Sequence, residues 1–276
     1  MSHVEKAPTP DRTLEFSEPL DSVNAVVLDN VARITFSRPP VNAVDIRAMR
    51  EIHIAFSEVG DDDEVRAVVF TSTGGKAFCA GADLKAFAGE QDVDLAHRID
   101  EGMSARRAFS AIRHCPVPVI AAVNGAAIGA GMAMAAVCDV IVADRTARFG
   151  ATEINVGLLG AVNYLRRMVG EYRAREMFFT GELASAEELH ARGAIARVVE
   201  PDELQAAALE IARTIATKSP IAMRLAKDAI NRTEGVELEH AYRIEQDYTA
   251  RLRQFQDSRE AAAAFLEKRT PHWALR

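Results

Sequence analysis

The sequence predicts an α/β fold that passes into a helical C-terminal subdomain, and three observations carry that prediction. Short apolar runs of strand length alternate with stretches of helical periodicity through the first two-thirds of the chain, as α/β packing requires. From about residue 201 onward no strand pattern remains, and residues 202–217, 220–234 and 236–268 each carry an apolar face. The composition is that of a folded domain: 49% of 276 residues are hydrophobic and 26% charged, which allows a sizeable core. The expected organisation is a mobile extension over 1–20, a core over 21–200 and a helical subdomain over 201–276.

Residues 23–36, VNAVVLDNVARITF, form two short apolar runs around Asp29-Asn30. Asx residues tolerate a left-handed turn, so a β-hairpin is expected there. Helical periodicity follows over 45–59, with Asp45 as N-cap. The acidic run 61–64 reads as a solvated loop, since a carboxylate metal site needs more ligands at set spacings. Residues 65–70 read as a buried strand and 73–75 as a turn. A polar helix is expected over 97–113, ending before Pro116 and Pro118, then a strand over 117–123. A Gly-rich turn leads into an apolar helix over 131–137 and a strand over 140–143.

Charge and cysteine content exclude several function classes. Lys and Arg total 33 against 40 Asp and Glu, a formal net charge of -7, which argues against binding along a nucleic-acid backbone. Cys79, Cys115 and Cys138 have no paired spacing, so neither a zinc ribbon nor a redox dithiol is supported. The N-terminal twenty residues lack an apolar signal region and carry Pro8, Pro10 and Pro19, and no apolar stretch is long enough to span a bilayer. A cytoplasmic protein without a membrane partner is expected.

Two glycine-rich loops partly match nucleotide-binding motifs, and both fail. Gly129-Ala130-Gly131 lies between a strand and a helix, but Met134 stands where a dinucleotide fingerprint needs glycine. Gly74-Gly75-Lys76 lacks the upstream glycine of a phosphate loop, and Ala77 replaces its hydroxyl residue. A different use of backbone N–H groups remains. KAFCAGADLKAF, residues 76–87, places Ala80, Gly81 and Ala82 after a strand, where small side chains allow close approach to the main chain. NGAAIGAGMAMAAVCD, residues 124–139, puts free amides at a helix N-terminus. Two such donors on one oxygen form an oxyanion hole; tight helix–strand packing is the competing explanation.

These two segments, their spacing and the downstream ARFGATEINVG (147–157) resemble the crotonase, or enoyl-CoA hydratase/isomerase, family. SRPPVNAVD (37–45) matches the family's opening and DSREAAAAFLEKR (257–269) its C-terminal motif, so the resemblance spans residues 26–269. It implies a crotonase-like spiral of ββα units, and trimers, often paired into hexamers, packed through the C-terminal helices. It also implies an acyl-CoA substrate, with coenzyme A entering as part of that substrate and no separate cofactor. The N–H groups of Ala80 and Ala130 would hold the thioester oxygen, Ala130 replacing the family's usual glycine. Contacts to the acyl-CoA fall by the same resemblance on Ala43, Gly81, Ala82, Asp83, Leu84, Lys85, Gly129 and Lys268, with Lys85 and Lys268 toward the phosphates and nucleotide.

Family hydratases carry two glutamates, matched here by Ala133 and Glu153. Only one acid is kept. Hydration needs a water held, deprotonated and its proton delivered, whereas a double-bond shift needs one base to remove and return a proton. That logic favours single-carboxylate Δ3,Δ2-enoyl-CoA isomerisation over hydration of a 2-enoyl-CoA. A carboxylate in this apolar setting is also expected to have a raised pKa. An acid from 87–101, which holds Glu90, Asp92, Asp94, Asp100 and Glu101, is an alternative partner, and Asn163 and Tyr164 are candidates to reach the acyl chain. Decarboxylase or hydrolase chemistry, a catalytically reduced CoA-binding protein and an RNA-binding relative remain as other readings. His53, His97 and His114 stand alone, without metal spacing.

Overall fold

The computed structural model describes residues 11–84 and 95–274, with side chains described outside 95–101. β1 (Arg12–Thr13), β2 (Val23–Leu28) and β3 (Val31–Phe36) form an antiparallel edge, followed by α1 (Ile46–Asp61), β4 (Ala67–Ser72) and β5 (Ala77–Cys79). The expected hairpin is β2–β3, and Asp29 and Asn30 both adopt positive φ (50° and 63°), the geometry of a two-residue turn between twisted strands. Asp45 caps α1, its carboxylate accepting the Ala48 N–H at 2.8 Å. Residues 11–20, placed in the extension by sequence, lie against the core: Leu14, Phe16 and Leu20 pack on it, and the Ser17 N–H donates to Glu58 at 2.9 Å. In the acidic run, Asp62 and Glu64 pair with Arg12.

Three further pairs of elements repeat one scheme. α2 (Leu95–His114), β6 (Val119–Val123), β7 (Ala126–Ile128), α3 (Ala130–Ala136), β8 (Val140–Asp144) and β9 (Arg148–Gly150) come next. β4, β6 and β8 extend a seven-stranded sheet of order β1-β2-β3-β4-β6-β8-β11, and the strand after each joins a four-stranded sheet, β10-β9-β7-β5. Each turn of the chain thus lays one strand in each sheet, which makes a spiral. A 3-10 turn (Glu153–Val156), α4 (Val162–Val169), α5 (Glu171–Thr180), β10 (Ala184–Ser185), α6 (Ala186–Ala191) and β11 (Arg197–Val199) complete it.

The central strands β4 and β6 of the large sheet are buried on both faces, so they read as near-continuous apolar runs. Val68 and Phe70 face the inner core, while Ala67, Val69, Ile120 and Val142 face α7 (Leu204–Ala216) through Leu204, Ala208 and Ala212. α8 (Pro220–Thr233) is tied down by buried Lys227, whose Nζ meets Asp139 at 2.7 Å and the Val117 carbonyl at 2.9 Å. The helical segment expected over 236–268 comprises two helices, α9 (Leu238–Leu252) and α10 (Gln256–Glu267). The break at Phe255 lets Asp257 turn inward, where it accepts the Ser219 hydroxyl at 2.9 Å and the Ala274 N–H at 2.9 Å. Among the described residues no helix is long and apolar enough to cross a membrane, and no three side chains cluster with metal-ligand geometry.

Candidate active site

The spiral brings the ends of β5 and β7 side by side, because the two strands pair in parallel. Segment 80–83 leaves β5 and runs along segment 41–45: the Val44 N–H donates to the Gly81 carbonyl at 2.8 Å and the Asp83 N–H to the Val44 carbonyl at 2.9 Å. These bonds decide which amides are free. The Ala80 N–H, expected to hold a thioester oxygen, donates instead to the Val41 carbonyl at 3.1 Å. The Ala82 N–H meets no acceptor among the described residues, so the available donor in this loop is two residues further along. Sequence could not show this, since the Ala80–Val41 bond joins segments far apart in the chain.

The second donor stands where the sequence places it. Ala130 opens α3, and the first amides of a helix have no intrahelical acceptor. Gly129 precedes it with φ 53°, a left-handed conformation that suits glycine. α3 sits so close to β5 that a Cβ at Gly131 would lie 2.7 Å from the Cys79 Cβ. Only a hydrogen fits, and that contact sets the separation of the two amide-bearing segments.

Ala80, Gly81, Ala82, Leu84, Gly129, Ala130 and Glu153 all line one cavity of about 470 Å³. Its wall is otherwise largely apolar, with Val44, Ile46, Met49, Phe109, Ile128, Leu158 and Leu159. Among the described residues two carboxylates border it, and they differ in their obligations. Asp45 has both oxygens engaged, one capping α1 and one paired with Arg38 at 2.6 Å. Glu153 opens the 3-10 turn, and its Oε2 is buried without a hydrogen-bond partner among the described residues. Burial pushes the Glu153 carboxyl above its ordinary range, opposed in part by its own backbone N–H. Its Oε1 faces two glycines: a Cβ would come within 3.0 Å of it from Gly129 and 3.1 Å from Gly160. A half-buried carboxyl with an unspent, buried oxygen is suited to taking up and returning a proton.

The remaining expected contacts scatter. Asp83 turns from the cavity to pair with Arg38 at 3.1 Å, and the Ala43 carbonyl accepts from the same guanidinium at 2.7 Å. Lys268 ends α10 in a left-handed conformation and does not line the cavity. Lys85, Glu90, Asp92 and Asp94 lie outside the described residues; Asp100 and Glu101 fall in α2, where side chains are described only beyond residue 101. Ala133 is fully buried in α3 and away from the lining. Tyr164 stands behind the wall, its ring 5.4 Å from that of Phe109 at 73°, and Asn163 is exposed. Burial raises the Cys79 thiol to about 12, which removes it as a nucleophile at neutral pH.

Comparison with known proteins decides the family: residues 27–276 match the model for enoyl-CoA hydratase/isomerase. The chain belongs to that family. A short-chain-enoyl-CoA hydratase of Clostridium acetobutylicum is 34% identical over 254 residues, covering 90% of this chain and 96% of that one. A (7aS)-7a-methyl-1,5-dioxo-2,3,5,6,7,7a-hexahydro-1H-indene-carboxyl-CoA hydrolase of Mycobacterium tuberculosis is 36% identical over 238 residues, covering 86% and 95%. The crystal structure of an enoyl-CoA hydratase from Bacillus anthracis superposes with a TM-score of 0.86 at 32% identity, covering 92% and 99%. The crotonase-like fold expected from the sequence is therefore shown, and a CoA thioester fits this family member as substrate. Sequence reasoning missed Phe109 and the wall at 158–161, whose apolar residues carry no local sign of a cavity; it gave Asp45 only its capping role.

Proposed function

We propose that the protein processes an enoyl-CoA through an enolate-type intermediate, with Glu153 as the proton carrier. The observation that carries this is the unpartnered, buried Glu153 oxygen in the cavity that Ala82 and Ala130 also line. The two amides would take the thioester oxygen as it gains charge, and each such donor is typically worth about 3–4 kcal/mol in the transition state. In hydration, Glu153 removes a proton from water while the water oxygen bonds to C3. The electron pair of the double bond moves through C2 to the thioester oxygen, and the protonated Glu153 then delivers its proton to C2.

The names of the Clostridium and Bacillus relatives support hydration of a 2-enoyl-CoA. The alanine at 133 supports a second reading, in which Glu153 alone shifts a double bond from C3 to C2. Offering the purified protein a 2-enoyl-CoA and a 3-enoyl-CoA separates them: hydration of the first supports the lyase, and conversion of the second without hydration supports the isomerase. Turnover undiminished in Glu153→Gln would remove Glu153 from either scheme. A homotrimer or hexamer belongs to the same proposal, supported by Leu238, Phe265 and Leu266, which stand 80%, 82% and 80% exposed on α9 and α10. Light scattering tests it, and a monomer at micromolar concentration would refute it.

A further inference from the structure

Arg38 opens the segment that runs beside the Ala82 loop, and its guanidinium spans three points. Nη2 donates to Asp45 at 2.6 Å, and Nη1 to the Ala43 carbonyl at 2.7 Å and to Asp83 at 3.1 Å. Ala43 and Asp83 belong to the two chains of the short parallel bridge that pairs Val44 with Ala82. One planar group therefore ties both sides of that bridge, and through Asp45 it ties them to the start of α1. The bridge's own backbone bonds hold Gly81 and Asp83, the residues before and after Ala82. The Ala82 N–H has no acceptor among the described residues, so its direction is set by those neighbours.

We propose that Arg38 is a positioning residue for the Ala82 amide, its three-way fork aiming that N–H at the thioester oxygen. The proposal rests on the enolate reading above. Two physical points separate it from other roles for an arginine beside a cavity. Both side-chain partners of Arg38 are carboxylates, so its charge is already engaged and is poorly placed to hold a substrate phosphate. The three side chains are half-buried, and ion pairs with such solvent access add little to folding stability. Misplacing a catalytic group by about 1 Å, in contrast, costs up to about 100-fold in rate.

The test compares wild type with Arg38→Met, Arg38→Lys, Asp83→Asn and the Arg38→Met/Asp83→Asn double variant. Each is measured for kcat and KM on crotonyl-CoA, for thermal unfolding, and for exchange of the C2 protons of butyryl-CoA in deuterium oxide. Arg38→Met should lower kcat and C2 exchange by about 10- to 100-fold while KM stays within about threefold. Arg38→Lys should recover only part of the loss, because an ammonium cannot present a planar fork to three acceptors. The double variant should lose little more than Arg38→Met alone, the non-additivity expected of one network. A rise in KM with kcat intact would make Arg38 a phosphate-binding cation, and unchanged kcat would make it merely structural; either result overturns the proposal. If Arg38→Met does not fold, Arg38→Lys and Asp83→Asn decide the matter by the same split. A wild type that neither turns over crotonyl-CoA nor exchanges C2 protons would remove the enolate reading itself. A wild type whose exchange is untouched by these variants leaves that reading standing and removes only Arg38.

Discussion

The cavity carries candidate groups of two kinds, an amide side made of main-chain N–H groups and a carboxylate side made of a single side chain. The Ala82 amide is held by bonds on either side of it, and the Ala130 amide by a helix seated against β5. Glu153 has no such support among the described residues: Oε2 has no hydrogen-bond partner there and Oε1 faces two glycines. The amide side tolerates a change of side chain because its donors are backbone, and it fails only if the backbone moves. The carboxylate side depends on one residue's chemistry, and burial has already made its charged form costly. Rate should therefore respond to side-chain identity at 153 and to bulk or backbone shifts elsewhere.

The largest test of that contrast is Glu153→Gln, which should lower kcat by about 10²- to 10⁴-fold, the usual contribution of a positioned general acid–base. The same variant should not lose stability at neutral pH. Burial raises the folded-state pKa of Glu153 above the ordinary value near 4.5, so folding favours its protonated form. That contribution is complete below pH 4.5 and is lost as pH rises through the folded pKa. Glutamine removes the penalty, so the variant's melting temperature should equal or exceed wild type at pH 8, with a smaller gap at pH 4. For wild-type turnover, the limb that rises with pH should lie above the ordinary carboxylate range. A variant inactive and also less stable at pH 8 would show that the buried carboxylate holds the fold together.

Next in size is Ala133→Glu, which restores an acid where the family's hydratases have one. Ala133 is fully buried and outside the cavity lining. A longer, ionisable side chain there must displace its neighbours, and overpacking alone costs about 1–3 kcal/mol. The melting temperature should fall and hydration should not improve. Faster hydration of crotonyl-CoA would show instead that the cavity reaches position 133 and that one missing acid limits the rate.

How far the chain could be read before folding follows the same division between local and distant causes. The β2–β3 turn, the Asp45 cap and the Ala130 helix start are local, written in Asp29-Asn30, in a capping side chain and in a glycine before an apolar run. β5, β7 and β9 are three residues each, too short to show a period, and they pair only because the spiral stacks them. Glu153 was legible through the motif around it. Choosing Ala82 over Ala80 required the bond to Val41, a contact no local pattern encodes.

A smaller effect is expected at Gly160, which touches the carboxylate side through backbone alone. A Cβ there would lie 3.1 Å from Glu153 Oε1, closer than comfortable packing allows, so Gly160→Ala should push the carboxylate aside. An activity loss of about tenfold, with little change in KM, fits a displacement well under the 1 Å that costs about 100-fold. Unchanged kcat would mean that Glu153 has room to move and that its position is set elsewhere.

The smallest effect belongs to Ala130→Gly, and it tests the amide side most directly. The substitution removes a methyl and keeps the N–H, so a donor that works through backbone alone should be nearly indifferent to it. Glycine in a helix costs up to about 1 kcal/mol relative to alanine, less at the first position, where α3 has yet to make its own bonds. Turnover within about threefold of wild type and a slightly lower melting temperature are expected. A change beyond about tenfold would exceed what the retained donor can explain and would make the Ala130 methyl part of the substrate-binding wall. The contrast between the two sides would then fail on the side where it predicts the least.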